Sequence, residues 1–159
     1  GTDVSFDAFS AAGEAFGKSN VVAGTTVVTG DLRSITLEQL ERARARMAYV
    51  ALQSLPGTES TLTFDDGYPP LAPTEGNYAL LKLFDEVSQD LGFGPVAPVD
   101  PRRAGAADVS FTTGLVEMAI DGLGPGGGND HTVYEWIDLP TLELQTKRAA
   151  VLMYRLMNR

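Results

Sequence analysis

The stretch Asp121-Gly-Leu-Gly-Pro-Gly-Gly-Gly-Asn-Asp-His131-Thr-Val-Tyr-Glu135 is the part of this sequence around which the rest is best understood. The apolar run before it, residues 115–120, has the length and continuity of a strand buried on both faces. Glycines after such a strand let the backbone approach a ligand closely, and ligands of open α/β sheets collect where strands end. This loop also carries the only histidine in the chain. We therefore predict that the functional chemistry centres on it.

The glycines admit two other interpretations. Residues 122–127 formally match G-x-G-x-x-G, the phosphate-binding turn of dinucleotide sites. That turn needs a helix opening directly from the glycines, whereas the next good helix start is Pro140, so nucleotide binding is disfavoured. The other alternative is a flexible loop with a surface histidine, which residue type alone does not exclude.

The composition is that of an ordinary globular protein, with 43% apolar and 21% charged residues. A chain of 159 residues supports one domain or two small ones. The 12 basic and 21 acidic residues give a formal charge of -9, which disfavours nucleic acid and anionic membrane surfaces as partners. Without cysteine there is neither a disulfide scaffold nor a thiolate zinc site. We expect a soluble protein, and the compartment, cytoplasmic or exported, stays undecided.

Local patterns predict the elements of the first part of the chain. Thr36 and Gln39 form a capping box that opens a helix over residues 37–55, and Pro56-Gly57 ends it. Strand-like patterns lie at residues 3–18 (weakly), 21–33 and 61–64. The order strand-strand-helix-strand over residues 1–70 predicts part of an open-faced α/β sandwich.

The proline-rich residues 68–73 predict a domain boundary. Beyond them, helices are predicted over residues 76–91, which Thr74 caps, and over residues 140–157. Short strands are predicted at residues 96–99 and 115–120. Because helix and strand alternate, residues 71–159 are expected to form part of a mostly parallel α/β domain.

Four sequence blocks carry a resemblance to a known family. They are Ser19-Asn-Val-Val-Ala-Gly with Thr29-Gly-Asp-Leu-Arg33, Gly105-Ala-Ala-Asp-Val-Ser110, Gly122-Leu-Gly124 with His131-Thr-Val-Tyr-Glu135, and Asp138-Leu-Pro140 with the closing helix. In this order they resemble the zinc-dependent aminoacylase and carboxypeptidase family (metallopeptidase family twenty), which includes glutamate carboxypeptidase, acetylornithine deacetylase and succinyl-diaminopimelate desuccinylase. Two departures stand out: Ala23 occupies a position where the family often has proline, and Ala106-Ala107 replaces a more usual glycine-threonine pair.

The resemblance implies a fold and an activity. Residues 1–70 would be part of a lid and dimerisation domain, and residues 71–159 the C-terminal part of a catalytic domain. An incomplete lid would leave unpaired strand edges, which favour a homodimer. In the complete enzyme, two zinc ions would activate water to attack the amide of a small peptide or N-acyl amino acid. The family's other metal ligands and its catalytic glutamate lie outside this chain, so the chain alone is expected to be inactive.

The resemblance also implies roles in the metal site. His131 would be a zinc ligand through its neutral imidazole. Glu135 would orient the imidazole ring or the loop. The alternative for Glu135 is a carboxylate that favours the start of the following helix.

Four further residues would contact the substrate by the same resemblance. Arg33 and Asn20 would bind its terminal carboxylate, since a guanidinium can hold a carboxylate by two hydrogen bonds. Gly105 and Ala106 would offer backbone N–H groups to an anion at a helix start. The alternatives are a surface ion pair of Arg33 with Asp31 and a turn that serves packing only.

A different class of function is also compatible with the sequence. The chain could be a non-catalytic lid or dimerisation module that acts through protein–protein contacts at its sheet edges. A longer reading frame with H-x-D followed by Glu-Glu upstream of this chain would favour the enzyme, and its absence the module.

Overall fold

A computed structural model describes residues 1–103 and 105–158 and gives a small mixed α/β architecture. Its helices are α1 (Leu37–Ala51), α2 (Glu75–Asp90) and α3 (Leu139–Met157), with short 3-10 helices at Pro101–Arg103 and Asp108–Thr112. Its strands are β1 (Asp3–Asp7), β2 (Ala12–Phe16), β3 (Gly127–Gly128) and β4 (Trp136–Ile137). The three predicted helices are confirmed. None of the helices in this described part of the chain has the length and apolar character that crossing a membrane demands.

The chain divides into two compact units, Gly1–Arg33 and Ser34–Arg159. The first unit is built on an antiparallel hairpin in which Asp3 pairs with Phe16 and Asp7 pairs with Ala12. The Asp7 carboxylate closes the turn of this hairpin by accepting hydrogen bonds from Ser10 Oγ at 2.6 Å and the amide of Phe9 at 3.0 Å. These hydrogen bonds hold the pKa of Asp7 below its usual value. The weak strand pattern of residues 3–18 thus becomes two strands.

Helix α1 begins where its capping residues predict. Thr36 Oγ1 accepts a hydrogen bond from the amide of Gln39, and Gln39 Oε1 accepts one from the amide of Ile35, both at 3.1 Å. The helix ends at Ala51, one turn before the predicted end at residue 55. Two local causes are visible: the hydroxyl of Ser60 donates to the Ala51 carbonyl, and Pro56 disfavours helical backbone in the residue before it.

The core lies between α2 and α3. It contains Leu80, Phe84 and Val87 from α2, which are 9%, 4% and 0% exposed, and Leu152 from α3, which is 4% exposed. Their spacing along α2 places them on one helical face, as the sequence predicts. Thr74 caps α2 by accepting a hydrogen bond from the amide of Asn77 at 3.1 Å. At its other end Gly92 has φ of +76°, which a glycine adopts without strain.

The strands predicted at residues 21–33, 61–64, 96–99 and 115–120 do not form, and this part of the prediction is wrong for the chain as described. Both sheets are two-stranded and antiparallel, and no parallel pair occurs within the described residues. For the segments at residues 96–99 and 115–120, a physical reason is visible in the hydrogen bonds. The amide of Val96 donates to Asp85 Oδ1 at 2.7 Å, and that of Ala119 donates to Asn77 Oδ1 at 2.9 Å. These amides therefore donate to side-chain oxygens, where in a sheet they would donate to the carbonyl groups of a neighbouring strand.

The proline-rich segment of residues 68–73 is tied to the 3-10 helix at Asp108–Thr112. The hydroxyl of Tyr68 donates to Asp108 Oδ1 at 2.9 Å, and the ring of Tyr68 packs on that of Phe111 with centroids 5.1 Å apart. Thr113 Oγ1 donates to the Pro70 carbonyl at 3.1 Å. These contacts hold the segment at two points.

The ionisation of Tyr68 tests this connection. Its hydrogen bond to the Asp108 carboxylate, and then the negative charge of that carboxylate, raise the pKa of Tyr68 above its usual value. The contact therefore stabilises the fold in full below about pH 10 and is lost as the pH rises through the raised pKa. We expect Asp108→Asn to lower the pKa of Tyr68, measured by carbon-13 tyrosine NMR, and Asp65→Asn to leave it unchanged. Equal values in wild type and Asp108→Asn would contradict the connection.

Candidate functional site

The loop that carries His131 is closed at its base by the pairing of β3 with β4. Gly127 lies opposite Ile137, and Gly128 lies opposite Trp136. A Cβ atom on Gly127 would clash with the Trp136 carbonyl oxygen, and one on Gly128 would lie 3.0 Å from the indole Nε1. These two glycines thus serve close approach to Trp136, and the next helix begins only at Leu139. This geometry does not match the dinucleotide turn, in which a helix follows the glycines directly.

Residues 129–135 form a loop with its own hydrogen bonds. The amide of Thr132 donates to the Asn129 carbonyl at 3.2 Å, and its hydroxyl donates to the same oxygen at 2.7 Å. The amide of Tyr134 donates back to Thr132 Oγ1 at 3.2 Å, and Asn129 Nδ2 donates to the Tyr134 carbonyl at 3.3 Å. Asn129 and Thr132 therefore define the shape of the loop from within.

His131 is exposed and lies in the left-handed backbone region, with φ of +64°. Asn129 also has a positive φ, of 59°. Histidine and asparagine occur there more often than most residues, yet the conformation remains uncommon outside glycine. Such conformations cluster at binding and catalytic sites, because surrounding structure has to maintain them. The uncommon backbone conformation of His131 and its imidazole side chain thus both mark it as a candidate functional residue.

The carboxylates near His131 do not complete a metal site. Asp130 and Glu135 lie on the same exposed loop, and the described residues contain no group of three His, Asp or Glu side chains that could hold a metal ion. A catalytic zinc takes about three protein ligands and keeps one position open. The residues described here therefore do not fit a zinc ion by themselves, although they offer one imidazole.

Glu135 lies between the loop and β4. Its amide donates to the Thr132 carbonyl at 3.2 Å, and its side chain is exposed. The strand β4 follows Glu135 directly, and α3 begins at Leu139, two residues after β4 ends. Glu135 and His131 thus lie on the same exposed loop.

Arg33 and Asn20, predicted to bind a substrate carboxylate, both belong to the unit Gly1–Arg33. Arg33 Nε donates to Asp31 Oδ2 at 2.6 Å, with both side chains at least 70% exposed. Asn20 lies in an exposed turn in which the amide of Val21 donates to the Lys18 carbonyl at 3.2 Å. No hydrogen bond joins Arg33 to Asn20 in the described part of the chain.

Gly105 and Ala106 are exposed and lead into the 3-10 helix at Asp108–Thr112. Ala107 is its N-cap and makes no side-chain capping hydrogen bond. The Asp108 carboxylate lies in the first turn. Its negative charge interacts favourably with the free amide groups of that turn and repels an incoming anion. The neighbourhood therefore offers backbone donors together with one opposing charge.

Two residues that hold the glycine loop were not singled out from the sequence. Thr141 Oγ1 accepts a hydrogen bond from the amide of Gly126 at 2.7 Å, and Gln145 Nε2 donates to the Gly124 carbonyl at 2.9 Å. A sequence signal exists, because polar residues four apart share one helical face. It was too weak to separate this face from ordinary solvent-exposed positions.

One protein family matches this sequence over nearly its whole length. The family model, described as Peptidase family M20/M25/M40, matches residues 6–158. The match covers the end of β1, all of β2, all three helices and the loop of His131. Comparison with curated proteins and with solved structures gives no match.

Proposed function

Because this chain belongs to Peptidase family M20/M25/M40, we propose that it forms the C-terminal part of a zinc-dependent metallopeptidase or amidohydrolase. The substrate class is a small peptide or N-acyl amino acid with a free carboxylate, as in carboxypeptidases and N-acyl amino acid deacylases. The reaction is hydrolysis of an amide or peptide bond. The chain alone is proposed to be inactive.

The observation that carries the proposal of a larger protein is how little of the chain is buried. A folded monomer of this length exposes about 7,700 Å², whereas this chain exposes 12577 Å². Only four hydrophobic side chains are buried in the described residues, all of them in the core between α2 and α3. Many large hydrophobic side chains are exposed as well, among them Phe9, Val133 and Tyr134, and clustered exposed apolar side chains are typical of an interface with further polypeptide.

Exposed apolar side chains outside the helices and strands support the same proposal. Val22 and Val28 in residues 21–33 are 89% and 86% exposed, and Leu115 is 81% exposed. These three residues lie outside the helices and strands of the described chain, and their exposed apolar side chains are ones that further polypeptide would cover. We propose that residues 1–70 form part of a lid and dimerisation domain, and that residues 71–159 form the C-terminal part of a mostly parallel catalytic domain.

Within that protein we propose one direct metal contact for this chain. His131 would supply one imidazole ligand, with Glu135 orienting the ring or the loop. The other ligands and the general base would come from outside the chain, because the described residues hold no second histidine or carboxylate cluster. Arg33, Asn20, Gly105 and Ala106 would bind the substrate carboxylate or other anionic groups.

A substrate panel on the full-length protein tests this function. We expect hydrolysis of dipeptides or N-acyl amino acids with a free carboxylate, loss of activity with a chelator and its return with zinc. Methyl esters at the carboxylate would be poor substrates, since they cannot form the charged hydrogen bonds. Hydrolysis that persists in full after the metal is removed would contradict the proposal.

Arg33→Ala tests the carboxylate contact. We expect KM to rise by roughly 10- to 150-fold with little change in kcat, which corresponds to about 1.5–3 kcal/mol for hydrogen bonds to a charged group. Arg102→Ala is a matched control, because Arg102 also pairs with an aspartate two residues earlier, Asp100, at 2.6 Å. Equal KM values for wild type and Arg33→Ala would identify Arg33 as a surface residue that pairs only with Asp31.

A second function is favoured by the apolar surface of α1. No residue of this helix is buried, and Leu37, Met47 and Val50 are 47%, 41% and 57% exposed. Such a face suits a dimerisation module that acts through protein–protein contacts. The enzyme is expected to hydrolyse substrates of the panel above, and the module is not. Both functions are compatible with a homodimer. An inactive full-length protein that forms a stable dimer would favour the module.

A further inference from the structure

One face of α3 holds the glycine loop from Gly122 to Gly127. Thr141, Gln145 and Arg148 are spaced by four and three residues and therefore share that face. Gln145 Nε2 donates to the Gly124 carbonyl at 2.9 Å and makes a longer contact of 3.5 Å to the Gly122 carbonyl. Both glycine carbonyls thus point to one amide group on the helix.

Arg148 determines which way the Gln145 amide faces. Its Nη1 donates to Gln145 Oε1 at 3.1 Å, and its Nη2 donates to the Phe93 carbonyl at 3.2 Å. A guanidinium can only donate and a backbone carbonyl can only accept. The oxygen of the amide must therefore face Arg148, and its NH2 group must face the glycines. A flipped amide would lose both interactions.

The core in turn fixes Arg148. Its guanidinium carbon lies 5.9 Å from the ring centroid of Phe84 and 5.7 Å from that of Phe93. Phe84 is 4% exposed and belongs to the core between α2 and α3. Hydrogen bonds and ring contacts thus connect the core, through Arg148 and Gln145, to the glycine loop.

The other contacts of α3 act at the base of the His131 loop. The amide of Gly126 donates to Thr141 Oγ1 at 2.7 Å, and the amide of Asp138 donates to the Gly126 carbonyl at 2.8 Å. Gly126 is followed by β3 and Asp138 is preceded by β4, so this hydrogen bond lies next to the pairing of the two strands. Any loosening of residues 122–126 therefore reaches the base of residues 129–135.

We propose that Gln145, oriented by Arg148, is a positioning residue that fixes the loop carrying His131. Its relevance to hydrolysis rests on the proposed role of His131 as a metal ligand. The positioning itself rests only on the contacts of Gln145, Arg148 and the glycine carbonyls. Gln145 holds the chain that leads into the loop and touches neither metal nor substrate.

Two variants of Gln145 separate the donor from the acceptor of its amide. Gln145→Glu keeps an acceptor for Arg148 but turns a carboxylate toward the glycine carbonyls, and Gln145→Met removes both groups at similar size. Glu143→Gln and Lys147→Met are matched controls, because this pair lies on the exposed side of the same helix. The readout is hydrogen exchange at the amides of Gly126 and Asp138 in the full-length protein.

We expect about tenfold faster exchange at both amides in the two Gln145 variants, and no change in the two controls, because one tethering hydrogen bond is lost. In an Arg148→Met background, Gln145→Met should add little, since the amide has already lost its orientation. Exchange at wild-type rates in both Gln145 variants would overturn the proposal. Full additivity of the two substitutions would equally overturn the role of Arg148.

Metal content separates this proposal from the proposed function. We expect Gln145→Met to lower zinc affinity by less than the roughly 10- to 100-fold that loss of a direct hydrogen-bond partner of a metal ligand costs, because Gln145 contacts Gly122 and Gly124 and not His131. Faster exchange with zinc content unchanged in both Gln145→Met and His131→Ala would uphold the positioning of the loop and overturn the ligand role of His131. Unchanged exchange would overturn the positioning whatever the zinc content.

Discussion

His131→Ala is expected to lower the zinc affinity of the full-length protein by more than about 100-fold, because losing a ligand costs more than losing its outer partner. The 159-residue chain alone is expected to bind zinc no more tightly than about micromolar, since a catalytic zinc takes about three protein ligands. The chain has one histidine and no cysteine. Asp130 and Glu135 lie too close in the same exposed loop to enclose an ion with it.

Zinc titration by calorimetry measures both expectations, with the metal content of the purified protein as a second readout. Val133→Ala is a suitable control in the same loop, because the Val133 side chain is 93% exposed. Tight zinc binding by the chain alone would refute the ligand count. Undiminished metal in full-length His131→Ala would refute the assignment of the ligand.

Phe84→Ala is expected to destabilise the pairing of α2 with α3 by about 3–5 kcal/mol, which combines lost apolar burial with a cavity. The effect is large relative to the roughly 5–15 kcal/mol that a whole domain possesses. It should be felt strongly here, because the described core has only four buried hydrophobic side chains. The loss would also remove one of the two rings beside Arg148.

Urea unfolding followed by far-ultraviolet circular dichroism measures this loss as a lower midpoint. Phe9→Ala is the control, since Phe9 is fully exposed and surface substitutions usually change stability by less than about 0.5 kcal/mol. An unchanged midpoint for Phe84→Ala would mean that the packing of α2 on α3 does not limit stability.

The helices could be predicted because their signals are local. Thr36 and Thr74 each accept a hydrogen bond from the amide three residues on, so cap and helix start lie in one short stretch. The burial of Phe84 and Val87 follows from their spacing on the same helical face. The early end of α1 at Ala51 could not be predicted in this way, because it involves Ser60, which lies beyond a loop.

The strands could not be predicted with the same success, because a strand exists only through its partner. Residues 96–99 and 115–120 have suitable side chains, yet their amides at Val96 and Ala119 donate to Asp85 and Asn77. The hairpin of β1 and β2 forms within one short stretch, where the two strands can reach each other. The difference between the segments that form strands and those that do not is therefore whether a partner strand is available, and not their apolar content.

The sequence by itself determined the three helices and the loop on which His131 lies, because the signals for each are residues close together in the chain. It also determined the family, through four short blocks in order along the chain. Tertiary structure alone decided that Thr141, Gln145 and Arg148 hold the glycine loop and that the glycines accommodate Trp136. It also decided which extended segments become strands. The physical reason is that helix hydrogen bonds join residues four apart, whereas sheet pairing and loop tethering require groups that the fold brings together from distant positions.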